Sequence, residues 1–230
     1  MILDNLNQIR YRIRAAAAKA GRDPGQVTLV AVTKYAKVPE IRDLIATGLV
    51  SELGESRVQD AFAKREALGA EAGKVHWRFI GHLQTNKAKK ALELFDAIDS
   101  LDSERLAEAL EKGLAPEARR LPVLVQVKLS GRAAQFGVAP EDLEAALAKF
   151  AAHPRLEVKG LMAIAPELED LEARRPHFQR MRRLFERFFA DKPGAQLSMG
   201  MSQDFEIAVE EGATMVRIGS DIFVPQHQAA

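Results

Sequence analysis

The chain has 230 residues, 47% hydrophobic and 28% charged, with 33 Lys and Arg against 32 Asp and Glu and no cysteine. That composition supports a sizeable core and excludes disorder for the bulk of the chain. The net charge of +1 excludes recruitment of nucleic acid or anionic lipid by bulk electrostatics, and the missing cysteines exclude disulfides, thiolate nucleophiles and Cys-ligated metals.

The N-terminal stretch carries charges inside its apolar pattern, so no secretory signal is expected, and no run of 18 apolar residues marks a membrane span. Ile2, Leu6, Ile9 and Ile13 instead recur on one helical face. Gly21 and Pro24 end this helix. VTLVAVTK (27–34) then reads as a strand that is apolar on both faces, as in a covered parallel sheet. The pattern repeats with a helix from about Pro39, a strand at 50–54, a helix through Ala67, a strand at 76–81 and a helix from about Thr85. Further strands are expected at 95–99, 121–129 and 158–165, each followed by a helix whose apolar residues carry a 3.6 period. The segment 195–200 leads into a helix through Glu211, and 214–219 closes the series.

Eight β/α units predict a TIM-type (β/α)8 barrel with an N-terminal helix. One domain is expected over 1–225, with a short tail at 226–230. In such a barrel the strand C-termini form the working face. Lys34 ends the first strand there, and its amine is expected in a partly desolvated cavity, where desolvation favours the neutral nucleophile. Position alone fits a lysine reaching out to solvent equally well, and Lys37 is its rival. Arg217, Gly219 and Ser220 end the eighth strand. Ser198, Met199 and Gly200 end the seventh, ahead of Ser202 and a helix N-terminus. Taken singly these are glycine turns with a capping serine, Ser202 before Glu206. Together they suit one phosphate.

Closure sets strand eight beside strand one, so a lysine and an anion cradle become neighbours, a gap that pyridoxal 5′-phosphate (PLP) spans with its aldehyde and phosphate. Arg217 then faces the pyridine nitrogen and keeps it unprotonated, because a guanidinium does not give up its proton. The alternative is a structural pairing of Arg217 with Glu206 or Asp204. Glu55, Ser56 and His82 complete the candidate pocket. The five histidines, at 76, 82, 153, 177 and 227, lack the spacing of a metal site.

Seven ordered blocks resemble the pyridoxal phosphate homeostasis protein family: LVAVTK (29–34), GESRVQD (54–60), WRFIGHLQTNK (77–87), VLVQV (123–127), GLMAIAP (160–166), LSMGMSQDF (197–205) and EEGATMVRIGS (210–220). The resemblance implies a fold-type III PLP barrel similar to the N-terminal domain of alanine racemase. It implies PLP held as a Schiff base on Lys34, with phosphate on Ser198, Gly219 and Ser220 and the ring nitrogen on Arg217. It also implies a cytoplasmic role in PLP (vitamin B6) homeostasis without robust turnover, with PLP-dependent client enzymes as candidate partners. Lacking the second domain that makes the usual racemase dimer contact, the chain is expected to be monomeric or weakly dimeric.

Three positions depart from the family's pattern. Ser56 stands where Asn is usual, Lys128 where a polar Asn is common, and Asp221 where a small neutral residue is typical. Asp221 sets a carboxylate beside the phosphate loop, which weakens anion binding unless the side chain turns away. The enzymatic alternatives are an amino-acid racemase and a Schiff-base aldolase on a sugar phosphate. A racemase needs an acid/base group on the opposite face, and the only tyrosines are Tyr11 and Tyr35. An interaction module with an empty barrel mouth is the third reading.

Overall fold

The β-branched and apolar runs form strands because both of their faces are covered, one by the barrel interior and one by helices. The computed structural model describes residues 1–115, 117, 119–129 and 136–224, so the expected tail lies outside the described residues. The strands are Thr28–Val32 (β1), Glu52–Glu55 (β2), His76–Phe79 (β3), Ala97–Leu101 (β4), Leu121–Val127 (β5), Leu156–Ala163 (β6), Gln196–Met201 (β7) and Met215–Ile218 (β8). All pair in parallel in chain order, and β8 closes on β1 with Val30 opposite Arg217. The expected barrel is the observed one.

The helices are Ile2–Lys19 (α1), Val38–Ala46 (α2), Val58–Leu68 (α3), Ala88–Leu94 (α4), Glu104–Gly113 (α5), Leu143–Ala151 (α6), Arg175–Phe189 (α7), Phe205–Glu210 (α8) and Ser220–Phe223 (α9). None among the described residues is long and apolar enough to cross a membrane. The apolar stripe of α1 is buried as its spacing predicts, and Asn5 ties it to the last turn by donating to the Ile222 carbonyl (2.9 Å).

Several boundaries differ from expectation. β1 stops at Val32, so Lys34 lies in the following turn and not in the strand. β4 begins and ends two residues later than expected, and its pairing with β5 shifts register between Ile98 and Leu101. The helix after β7 has only six residues and Asp204 at its N-cap, so neither the Ser202 cap nor an anion site at that helix end is realised. Ser202 instead accepts from the Gly219 amide (3.4 Å), joining the loops after β7 and β8.

Two apolar cores result. The larger lies between strands and helices; the smaller, inside the barrel, is built from Val30, Leu124, Met162 and Met215. Gly160 shows how tightly β6 and β7 approach: its φ is +153°, and a Cβ there would sit 1.9 Å from the Gln196 carbonyl oxygen. Gly160→Ala is expected to cost roughly 3 kcal/mol through backbone strain and overpacking. A urea midpoint equal to that of the parent would contradict this.

Candidate functional site

The β8–β1 seam builds the site. Gly219 follows β8 and packs on the end of β1, where an added Cβ would lie 3.0 Å from the Val32 carbonyl oxygen. Any larger residue would push the Gly219–Ser220 loop away from the turn that carries Lys34. That turn exposes Lys34, whose Nζ rests 4.8 Å from the centroid of the Tyr35 ring. The desolvated cavity expected around Lys34 is therefore not present; the lysine follows a strand that ends early and reaches into solvent.

Arg217 points into the barrel and is buried. Its Nη1 donates to Ser198 Oγ (2.7 Å) and its Nη2 to the Ala163 carbonyl (2.9 Å). Neither pairing considered from sequence occurs, because Glu206 is taken by Arg12 and Asp204 by Arg174. Among the described residues Arg217 forms no ion pair. Burial pushes its guanidinium down to about 10, with Asp99 and Asp204 drawing it partly back. It remains cationic at neutral pH, and such a buried charge favours an acceptor brought in from the mouth.

Ser198 lies deep in the barrel with its oxygen on Arg217, so it orients the guanidinium. The Met199 side chain belongs to the outer core, which leaves only its main chain for the cradle. Gly200 holds φ +93°, and a Cβ there would meet the Ala208 side chain at 2.6 Å. This glycine lets α8 close against the loop. The loop is braced further by buried Asp204, which accepts from the Met201 amide and from Arg174, both at 2.7 Å.

Glu55 does not line the mouth. Gly54 faces Val30 inside the barrel, so by strand alternation Glu55 faces outward. Its Oε1 accepts from the Thr33 hydroxyl (2.6 Å) and from Lys64 Nζ (2.7 Å), and Lys64 also donates to the Thr33 carbonyl (2.6 Å). Glu55 Oε2 is buried without a hydrogen-bond partner among the described residues. This cluster fixes the residue just before Lys34. Lys64 went unrecognised in the sequence because a lysine on an amphipathic helix reads as solvated.

Half-buried Ser56 backs Gly81, whose missing side chain lets the Ser56 carbonyl approach; a Cβ would lie 2.3 Å from it. His82 stands exposed on the far rim, with Nδ1 3.2 Å from Asp102 and its ring stacked on Phe136 at 3.5 Å. Lys128 follows β5, across the barrel from β1, and opens onto a depression of about 450 Å³ with Asp102, Ser103 and Lys149. Asp221 pairs with Arg12 through one oxygen (3.1 Å) and accepts from the Ser220 hydroxyl through the other (3.3 Å).

The barrel floor carries a network that sequence reading missed. Arg78 on β3 donates to both oxygens of Asp99 on β4 (2.8 and 2.7 Å), to Glu52 (3.3 Å) and, across the barrel, to Gln196 on β7 (3.0 Å). Burial opposes the Arg78 charge, but Asp99 and Glu52 outweigh it and raise its pKa. The signal was present: Arg78 and Asp99 are charged residues inside otherwise apolar strands.

The family model described as alanine racemase, N-terminal domain, matches residues 5–226. A pyridoxal phosphate homeostasis protein from Pseudomonas aeruginosa is 39% identical over 226 residues, covering 96% of this chain and 94% of the relative. The chain belongs to the pyridoxal phosphate homeostasis protein family. A solved structure of similar sequence, PipY of Synechococcus elongatus with PLP bound, is 34% identical and superposes with a TM-score of 0.83, covering 97% of this chain and all of that one. An alanine racemase from Clostridium difficile shares the fold alone, at 13% identity and a TM-score of 0.70. This chain spans 56% of it. Of Ser56, Lys128 and Asp221, only Asp221 directly follows the Gly219–Ser220 loop.

Proposed function

We propose that this chain binds PLP at the β8–β1 seam, linked to Lys34 as a Schiff base, and serves cytoplasmic PLP homeostasis without robust catalytic turnover. The observation that carries this reading is the seam itself: an exposed lysine beside a glycine-serine loop, above a buried arginine that forms no ion pair among the described residues. The names of the relatives and the PLP held by PipY support the same ligand.

The residues fit the group. Lys34 would hold the group through its amine, to which the cofactor would supply an aldehyde, with one water released. The loops Gly200–Ser202 and Gly219–Ser220 offer backbone N–H groups and hydroxyls to a phosphate. Arg217 is assigned to the ring nitrogen, held in place by Ser198 and the Ala163 carbonyl. Bound PLP contributes a reactive aldehyde and an electron-accepting ring; a guanidinium partner keeps that ring a weak electron sink. His82 is assigned to the far wall of the mouth.

The absence of turnover is supported by the tyrosines. Tyr11 is exposed on α1, and Tyr35 is 86% exposed with its ring against the Lys34 amine, so neither is set up as an acid/base on the opposite face. Delivery of PLP to client enzymes and a monomeric or weakly dimeric state complete the proposal.

Addition of PLP to the purified protein is expected to give a visible imine band that borohydride fixes on the peptide containing Lys34. Lys34→Ala is expected to lose both band and label. Label retained on Lys37 or Lys128 in that variant would reassign the amine, and no band at saturating PLP would refute the reading.

A further inference from the structure

We propose that Arg12, on the N-terminal helix, is a positioning residue for the phosphate site: it draws the Asp221 carboxylate to the outer side of the Gly219–Ser220 loop and neutralises it. This rests on the PLP reading above and deepens it. Asp221 follows Ser220 directly, so its carboxylate is tethered within reach of any anion held by that loop. Two bonds determine where it points. Its Oδ2 pairs with Arg12 Nη1 at 3.1 Å, and its Oδ1 accepts a longer bond of 3.3 Å from the Ser220 hydroxyl.

Arg12 is itself well fixed. Its Nη2 pairs with Glu206 at 2.8 Å, and its guanidinium lies 4.5 Å from the centroid of buried Phe205 at the start of α8. The hydrogen bond to Glu206 leads the effects that raise its pKa, ahead of the opposing burial and the further support of Asp221. Arg12 thus remains charged across the working range. From α1 it draws two carboxylates, one from the helix after β7 and one from the turn after β8, to the outer side of the cradle. Without it, Asp221 would keep only its contact to Ser220, the hydroxyl that the anion needs. A free carboxylate beside a phosphate dianion repels it even in a water-like medium.

The mere structural alternative is that Arg12 ties α1 to the helices beyond β7 and β8. The two are separated by ligand and by double substitution. Arg12→Gln is expected to weaken PLP and inorganic phosphate by about tenfold each, while pyridoxal, which lacks the phosphate, binds Lys34 as in the parent. Asp221→Asn alone is expected to bind PLP at least as tightly as the parent, and Arg12→Gln with Asp221→Asn to regain most of the loss. Equal weakening of pyridoxal, no weakening at all, or failure of Asp221→Asn to rescue would each overturn the proposal. A parent protein that binds phosphate but forms no imine would instead refute the PLP reading, and the phosphate series would still decide the role of Arg12. A parent that binds neither would refute both.

Discussion

Asp99→Leu is expected to cost about 3–5 kcal/mol of folding stability, the usual scale for stranding a buried charge. Asp99 is fully buried and accepts both arms of the Arg78 fork. It is also the first of the acids whose field supports the charge on Arg217. Its removal leaves two guanidiniums in the barrel with only the longer Glu52 contact and neutral acceptors for company. Arginine cannot escape by releasing its proton at neutral pH. Adding Arg78→Met should recover much of the loss, since replacing both members of a buried pair by apolar groups is far less costly than removing one. Trp77, the only tryptophan, is buried next to Arg78 and donates to the Ala72 carbonyl, so its fluorescence can follow urea unfolding. An Asp99→Leu unfolding free energy within about 1 kcal/mol of the parent would show that losing the acid leaves no costly unpaired charge in the floor network.

Lys64→Met is the second large effect, expected at about 3 kcal/mol, because it strands the buried Glu55 carboxylate and frees the Thr33 carbonyl. The loss should appear twice: as a lower urea midpoint, and as weaker PLP binding, since Thr33 immediately precedes Lys34. Glu55→Gln in the same chain removes the stranded charge and is expected to restore part of the stability. A Lys64→Met urea midpoint equal to that of the parent, or no recovery on adding Glu55→Gln, would rule this account out.

The fold was largely legible because its signal is repetitive. Each strand is an apolar run bounded by turn residues, and an error of two residues at β4 or β6 leaves the count of eight untouched. The seam was legible too, since Lys34 and the Arg217–Ser220 segment sit at strand ends whose adjacency follows from closure. Side-chain direction was harder. The burial of Glu55 behind Thr33 and the outward turn of Met199 depend on which face each residue takes, and that is set by the pairing register, which a run apolar on both faces does not reveal. Partners from distant helices were not readable at all. Lys64 and Arg12 look like ordinary solvated positions until packing brings α3 under the Thr33 turn and α1 against the last turn of the chain. The exposure of Lys34 was missed for a related reason: a strand was extended through residues that instead form the turn.

The seam joins Val32 to Gly219, a contact that exists only when β8 has docked against β1. On the PLP reading proposed above, ligand capture at this site would report barrel closure. A chain still emerging during synthesis carries Lys34 early, but it has no Gly219–Ser220 loop to set beside it until residue 220 has been made. Partly built barrels, with their unpaired strand edges, would gain nothing from the ligand, while the closed one would be stabilised by mass action, rising with the logarithm of free PLP once that exceeds its dissociation constant. The ligand would thus act late, as a latch on the closing step that carries the greatest sequence separation and the highest loop-closure cost.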